Sequence, residues 1–249
     1  MIYIFLSGVV SLGIGFIAWI IISNTIMPLV PTPFEVGEIL IPVLIDPWFF
    51  KSVFVTSYRI LAGVMLGAIF GMPLGLLMGW QKKFDDLTFP IFELLRPVPP
   101  VAWIPLSIIV LGNLNASMVF ICFIGAFFVI TLNAKLGVEK VPLSFYRAAK
   151  SLGANPSYIF RKIVLPAALP DVFTGFTLGV GISSVSVVAA EMIAGNMGIG
   201  YLCWESFSLL RFPDIVIAML TIGLIGWFYS TIVRLIGSKF LKWTRIISQ

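Results

Sequence analysis

The chain has 249 residues; 59% are apolar and 11% carry a charged side chain. A soluble domain carries about 25% charged residues, so a mostly water-facing surface is excluded and a single polytopic membrane domain over residues 1–249 is expected. There is no histidine, and the two cysteines, Cys122 and Cys203, stand far apart in apolar surroundings, so neither a disulfide framework nor a metal cluster is expected.

Residues 2–23 are apolar and uncharged, and long enough to span a bilayer. They lack the basic start of a cleaved leader, so a retained first span is expected. Pro28, Pro31, Pro33, Glu35, Glu38 and Asp46 then suit an outer loop with a short interfacial helix from Phe34 to Ile45. A second span over Val53–Trp80 carries Gly63, Gly67, Gly71, Gly75 and Gly79 at intervals of four. At 3.6 residues per turn these make one slowly drifting stripe. Glycine weakens a helix, so a repeated stripe points to close packing against a second helix. Arg59, near the outer end of this span, either snorkels to the interface or lines an anion route.

Gln81–Thr88 reads as a polar inner loop, and Glu93–Leu106 brings Pro97, Pro99, Pro100 and Pro105 into an apolar run. A regular helix cannot pass through that cluster intact. A third span starting there, kinked at Pro105, is expected either to line a pore, with Arg96 and Trp103 near its entry, or simply to enter at the inner interface. Asn113–Asn115 marks an outer turn, and a fourth span follows over Ser117–Ala134. A fifth, Asp171–Glu191, holds Ser183, Ser184 and Ser186, which either pack helices or line a polar path. Glu191 ends it before the glycine-rich stretch Gly195–Gly200. An acid at that depth is a functional candidate, and hydrogen bonding to the glycine-rich loop is the equal alternative. The sixth span is Ile215–Ile236.

With both termini inside, all 16 Lys and Arg residues except Lys51, Arg59 and Arg211 fall on the inner side. This positive-inside bias accounts for the net charge of +5 without any nucleic acid.

The longest interruption on that inner side is the segment 142–166. Its stretch Tyr146–Pro166 carries Arg147, Lys150, Arg161 and Lys162 and no acid. Tyr146–Leu152 suits a short helix stopped at Gly153. Asn155-Pro156 is a restart signal, and Ser157–Leu165 suits a second short helix stopped by Pro166. The chain has no phosphate-binding loop and no pair of mid-span acids for a proton relay. It is therefore expected to be no enzyme but a membrane path with a docking handle, with a self-sufficient secondary transporter and a poreless scaffold as the less favoured alternatives.

The handle resembles the E-A-A-x-x-x-G-x(9)-I-x-L-P loop of the membrane subunits of bacterial ATP-binding-cassette importers. Ala148, Ala149, Gly153, Ile163, Leu165 and Pro166 fall in register. Nearly the whole chain is similar to the nitrate/sulfonate/taurine/bicarbonate-type permeases. The likeness is carried by V-P-T-P-F-E-V (Val30–Val36), the glycine ladder, L-R-P-V-P-P-V-A-W-I-P-L (Leu95–Leu106), Y-R-A-A-K-S-L-G-A and A-E-M-I-A-G-N-M-G-I-G-Y-L (Ala190–Leu202). One departure is Arg147, where the family usually has Glu.

The resemblance implies an all-α type I importer permease fold of about six spans in the bacterial inner membrane, working by alternating access. It implies pairing with a second, identical permease subunit. Tyr146, Arg147, Leu152 and Ala154, with the in-register residues, would dock on one of two cytoplasmic ATPases. Those ATPases, not this chain, would bind ATP and Mg. An extracytoplasmic binding protein would deliver a small anion, or alternatively a vitamin precursor or other small organic solute.

Overall fold

The computed structural model describes residues 2–27 and 29–241. Pro28 and the C-terminal Lys242 and Arg245 lie outside the described residues. The elements are helical throughout, with no strand among the described residues. They are α1 (Ile2–Ile21), α2 (Pro33–Ile45), α3 (Pro47–Trp80), α4 (Lys82–Leu95), α5 (Ile104–Leu111), α6 (Leu114–Glu139), α7 (Leu143–Ser151), α8 (Pro156–Ile159), α9 (Leu165–Ala194), α10 (Ile199–Ser208) and α11 (Phe212–Phe240).

Local chemistry sets most helix starts. Thr32 caps α2 with a reciprocal capping box: its hydroxyl accepts from the Glu35 amide, and the Glu35 carboxylate accepts from the Thr32 amide. Asp46 accepts from the Trp48 amide at 2.9 Å, and Pro47 takes the first turn of α3, so that helix begins six residues before the expected Val53. Gly112 at φ 60° ends α5, and Asn113 caps α6.

The core is a three-helix stack with α6 between α3 and α9. The positions facing one another define its directions. Gly63 lies against Cys122 and Gly79 against Val138, so α3 and α6 run parallel. Gly137 lies against Ala168 and Gly179 against Ala126, so α9 runs antiparallel to them. Every glycine of the α3 ladder sits where a Cβ would overlap α6. At Gly67 the Ala126 Cβ would be 2.8 Å away, and at Gly71 the Phe127 carbonyl oxygen 2.9 Å. The backbones thus approach without intervening side chains.

Because α3 and α6 are parallel, the chain between them must cross back. That return is broken: Lys82–Leu95 and Pro100–Leu111 meet at 87°. Four helices, Pro47–Trp80, Leu114–Glu139, Pro156–Ala194 and Phe212–Phe240, are long and apolar enough to cross a membrane, and the bent pair makes a fifth traverse. α1, twenty residues without a charged side chain, has the length of a sixth.

Three local expectations are corrected. The expected polar inner loop at 81–88 is the start of α4. Asp85 suits the positive end of this helix, while Phe89 and Phe92 pack inward and Leu87, Ile91 and Leu94 stay exposed. Pro105 does not kink a long span. It occupies the first turn of the eight-residue α5, where a missing N–H breaks no helical bond, and the bend falls upstream. Pro166 does not stop the second handle helix either. The backbone widens into a π turn over Phe160–Val164, which relieves the carbonyl that a proline would orphan, and the helix continues from Pro156 to Ala194.

Candidate functional site

Two regions collect the residues singled out by sequence, one at each end of the bundle.

At one end lies a buried polar knot. α3 presents Thr56 and Arg59 one turn apart on the same face, and α9 presents Glu191. Arg59 Nη1 donates to Glu191 Oε1 at 2.8 Å and to the Met197 carbonyl at 2.8 Å, and Nη2 donates to Asn115 Oδ1 at the start of α6. The Thr56 hydroxyl lies 2.9 and 3.0 Å from the two Glu191 oxygens and accepts from the Ile199 amide at 2.9 Å. The Gly200 amide donates to Glu191 Oε2 at 2.9 Å. Glu191 therefore gathers the first two amides of α10, one directly and one through Thr56. Arg59 ties the same carboxylate to the 195–200 loop and to α6. The two side chains are 1% and 0% exposed, a burial that an unpaired charge would not tolerate.

This corrects the expectation for Arg59, which neither snorkels to an interface nor lines an open route. Its charge is cancelled inside the protein. For Glu191 the arrangement is hydrogen bonding to the glycine-rich loop. Gly198 explains why that loop is glycine-rich: at φ 122° its α-hydrogen faces the Glu191 carboxylate, with no room for a Cβ. The three serines of α9 are buried and donate to backbone carbonyls, Ser183 across to α6 and the other two within α9. Ser183 donates to the Cys122 carbonyl at 2.7 Å, Ser184 to Val180 and Ser186 to Ile182. Ser183 and Ser186 lie at the α6 contact and Ser184 beside Gly226 of α11, so none of them faces an opening within this chain. Arg96 is exposed and paired with Glu93 at 2.7 Å. Trp103 is half-buried among Phe120, Ile104 and Met118, and Pro105 is exposed. Trp103 and Pro105 both follow the bend, and α5 leaves Leu106, Ile109 and Val110 bare.

At the opposite end is the handle. α7 closes on Gly153 at φ 81°, a conformation that needs no Cβ. The Gly153 amide donates to the Lys150 carbonyl at 3.0 Å and the Ala154 amide to Ala149 at 3.1 Å. Asn155 then accepts from the Tyr158 amide at 2.8 Å and starts α8 behind Pro156. The two arms are seated on the bundle by Ala149 and Ile159, which join Leu76, Ala134, Val138, Val164, Ala168 and Val172 in one buried cluster. Tyr146, Ala154, Ile163, Leu165 and Pro166 are half-buried beside it. The tip is bare: Leu152 is 88% exposed, and Ala148, Arg147, Lys150, Arg161 and Lys162 are exposed around it. A rigidly seated, basic, solvent-facing turn with an apolar point is a docking element in form.

Sequence reading missed three residues of these regions. Thr56 had a signal, one helical turn before Arg59. Asn115 had none, nor had Trp80, whose ring lies against Tyr146 and Phe160 of the handle, because their partners lie far away in the chain.

An all-helical bundle with parallel and antiparallel spans, a charge knot closing one end and an exposed handle at the other has the build of a membrane transport subunit. The chain belongs to the family of binding-protein-dependent transport system inner membrane components, whose model matches residues 63–245. It is 39% identical over 219 residues to a putative ABC transporter permease protein of Methanocaldococcus jannaschii, covering 84% of this chain and 82% of the relative. It is 31% identical over 226 residues to a nitrate import permease protein of Synechocystis, covering 87% and 82%. The fold matches an inward-facing structure of the MetNI methionine ABC transporter with a TM-score of 0.61 at 20% identity, covering 80% of this chain and 98% of that one. The chain is thus an ABC importer permease subunit of the type I fold, a transport component rather than an enzyme. Membership implies an ATPase and a binding protein as its partners.

Proposed function

We propose that this chain forms, with a second identical copy, the translocation path of an ATP-driven importer for a small anion such as nitrate. The 142–166 segment of each copy docks on one of two cytoplasmic ATPases, which bind ATP and Mg. A binding protein on the opposite face delivers the solute. The chain sits in the inner membrane with both termini cytoplasmic, an orientation supported by the distribution of Lys and Arg.

The observation that carries the reading is the handle itself: a turn set by Gly153, seated through Ala149 and Ile159, with Leu152 and four basic side chains presented to solvent. Its charge fits an acidic cleft, and Arg147 adds to that charge where relatives of the resembled family carry Glu. The anion is supported by relatives such as the nitrate permease and not by Arg59, whose charge is cancelled by Glu191.

The test is reconstitution of the chain with its neighbouring ATPase and binding protein in vesicles, with labelled nitrate as the probe. ATP-dependent uptake supports the reading. Stable ATPase binding without nitrate uptake would sink the anion while leaving the importer. A chain that holds no ATPase would sink the docking role.

A further inference from the structure

Trp80 is the last residue of α3, and its indole lies between the two arms of the handle. Its ring centroid is 6.1 Å from Tyr146 on α7 and 5.2 Å from Phe160, which opens the π turn after α8. The handle is joined through the chain to α6 and to α9, but not to α3. The edge-on and tilted ring contacts of Trp80, beside Leu76 in the buried seat, therefore hold α3 to both arms at once.

The helix behind Trp80 is built to carry a displacement. One residue earlier, Gly79 seats α3 on α6, with the Lys135 carbonyl oxygen and Val138 Cβ 2.7 Å from the position of a Cβ. The ladder continues that contact back to Gly63. Beyond it the same helix supplies Thr56 to Glu191 and to the Ile199 amide of α10. Trp80 and Thr56 are 24 residues apart, about 36 Å at the rise of an α-helix. One continuous helix thus touches the handle at one end and the outer polar knot at the other. Closely packed interiors pass on strain rather than absorb it, and flat rings in contact resist compression where a flexible aliphatic chain would yield.

We infer that Trp80 is the positioning residue through which movement of the handle is passed along α3 to the outer Thr56–Glu191–α10 contacts. The inference rests on the reading of 142–166 as the ATPase-docking element. Coupling along a packed element is established only by perturbing it, and the perturbation here is removal of the ring.

The experiment uses the full complex of permease, ATPase and binding protein in vesicles. It reads the stimulation of ATP turnover by the binding protein, a signal that must cross the membrane and that needs no identified solute. Wild type and Trp80→Phe are expected to show stimulation. Trp80→Ala and Trp80→Leu are expected to keep the ATPase and hydrolyse ATP but lose the stimulation. Trp80→Phe and Trp80→Leu remove similar volumes, so a loss in the leucine variant that the phenylalanine variant does not share follows the ring and not the cavity. Retained stimulation in Trp80→Ala or Trp80→Leu overturns the inference, whatever happens to thermal stability. So does loss of the ATPase from both, which would make Trp80 part of the docking shape instead. A wild-type chain that holds no ATPase overturns the docking reading itself, a result distinct from the other two.

Discussion

Arg59 Nη1 lies 2.8 Å from Glu191 Oε1, across 132 positions of sequence, with both side chains closed off from solvent. The pair is the crossing point of α3 and α9 and the anchor of the loop that leads into α10. A buried ion pair adds little stability relative to apolar filling, but breaking one partner leaves a stranded charge. Arg59→Leu and Glu191→Leu should each cost about 3–5 kcal/mol. The double change Arg59→Leu with Glu191→Leu should cost much less than the sum. Thermal unfolding of the four proteins in detergent checks this, and additive losses would show that the two residues are not energetically coupled.

Gly198 reports on the same knot without touching its charge. It holds φ 122°, and an added Cβ would meet the carboxylate of Glu191. Gly112 also has positive φ, at 60°, but has open space around it. Gly112→Ala should therefore cost only the left-handed backbone penalty, about 1–2 kcal/mol. Gly198→Ala should cost clearly more and should also loosen α10, seen as faster hydrogen exchange at the Ile199 and Gly200 amides. Equal losses at the two sites would mean that the loop can move off Glu191.

The glycine ladder makes a third prediction. At Gly75 a Cβ would sit 2.8 Å from Ala134 Cβ and closer still to the Thr131 carbonyl oxygen, so α3 would have to lift from α6. Gly75→Ala should cost about 1–3 kcal/mol, as over-packing does. Gly181 lies within α9 with nothing near its Cβ position. Gly181→Ala should be neutral or stabilising by about 0.5–1 kcal/mol, the usual gain of alanine over glycine in a helix. Melting temperatures of the two variants decide it, and a harmless Gly75→Ala would leave the ladder without a packing role.

These sites differ in how far the sequence disclosed them. The ladder was legible because a period of four is a geometric statement about one helix face. Gly153 and Asn155-Pro156 were legible because capping chemistry is local. Glu191 was visible as an expensive acid able to tie down the glycine-rich loop, but not as half of an ion pair, since its partners Arg59 and Thr56 lie on another helix and periodicity carries no information about which helices meet. The polar charges of 82–86 concealed α4, because exposed charges with an apolar stripe read as a loop until the inward face of Phe89 and Phe92 is seen. Pro166 misled for a physical reason too: a π turn lets a helix run through a proline that would stop regular geometry.

Gly153 separates conformation from contact in the handle. Its φ is 81° and no atom lies within 4 Å of a Cβ built there, so a substitution acts through the backbone alone. Asparagine tolerates the left-handed region best among residues with a side chain, alanine less, and a β-branched residue least. Gly153→Asn should retain the ATPase on co-purification, Gly153→Ala should retain it partly, and Gly153→Val should lose it. All three should fold, because the buried seat formed by Ala149 and Ile159 is unchanged. Unfolding temperatures close to wild type, together with that order of ATPase retention, would place the effect in the angle between the two arms. Retention that instead follows side-chain volume or charge would mean that the ATPase reads the surface at 153 directly and that the turn conformation is incidental.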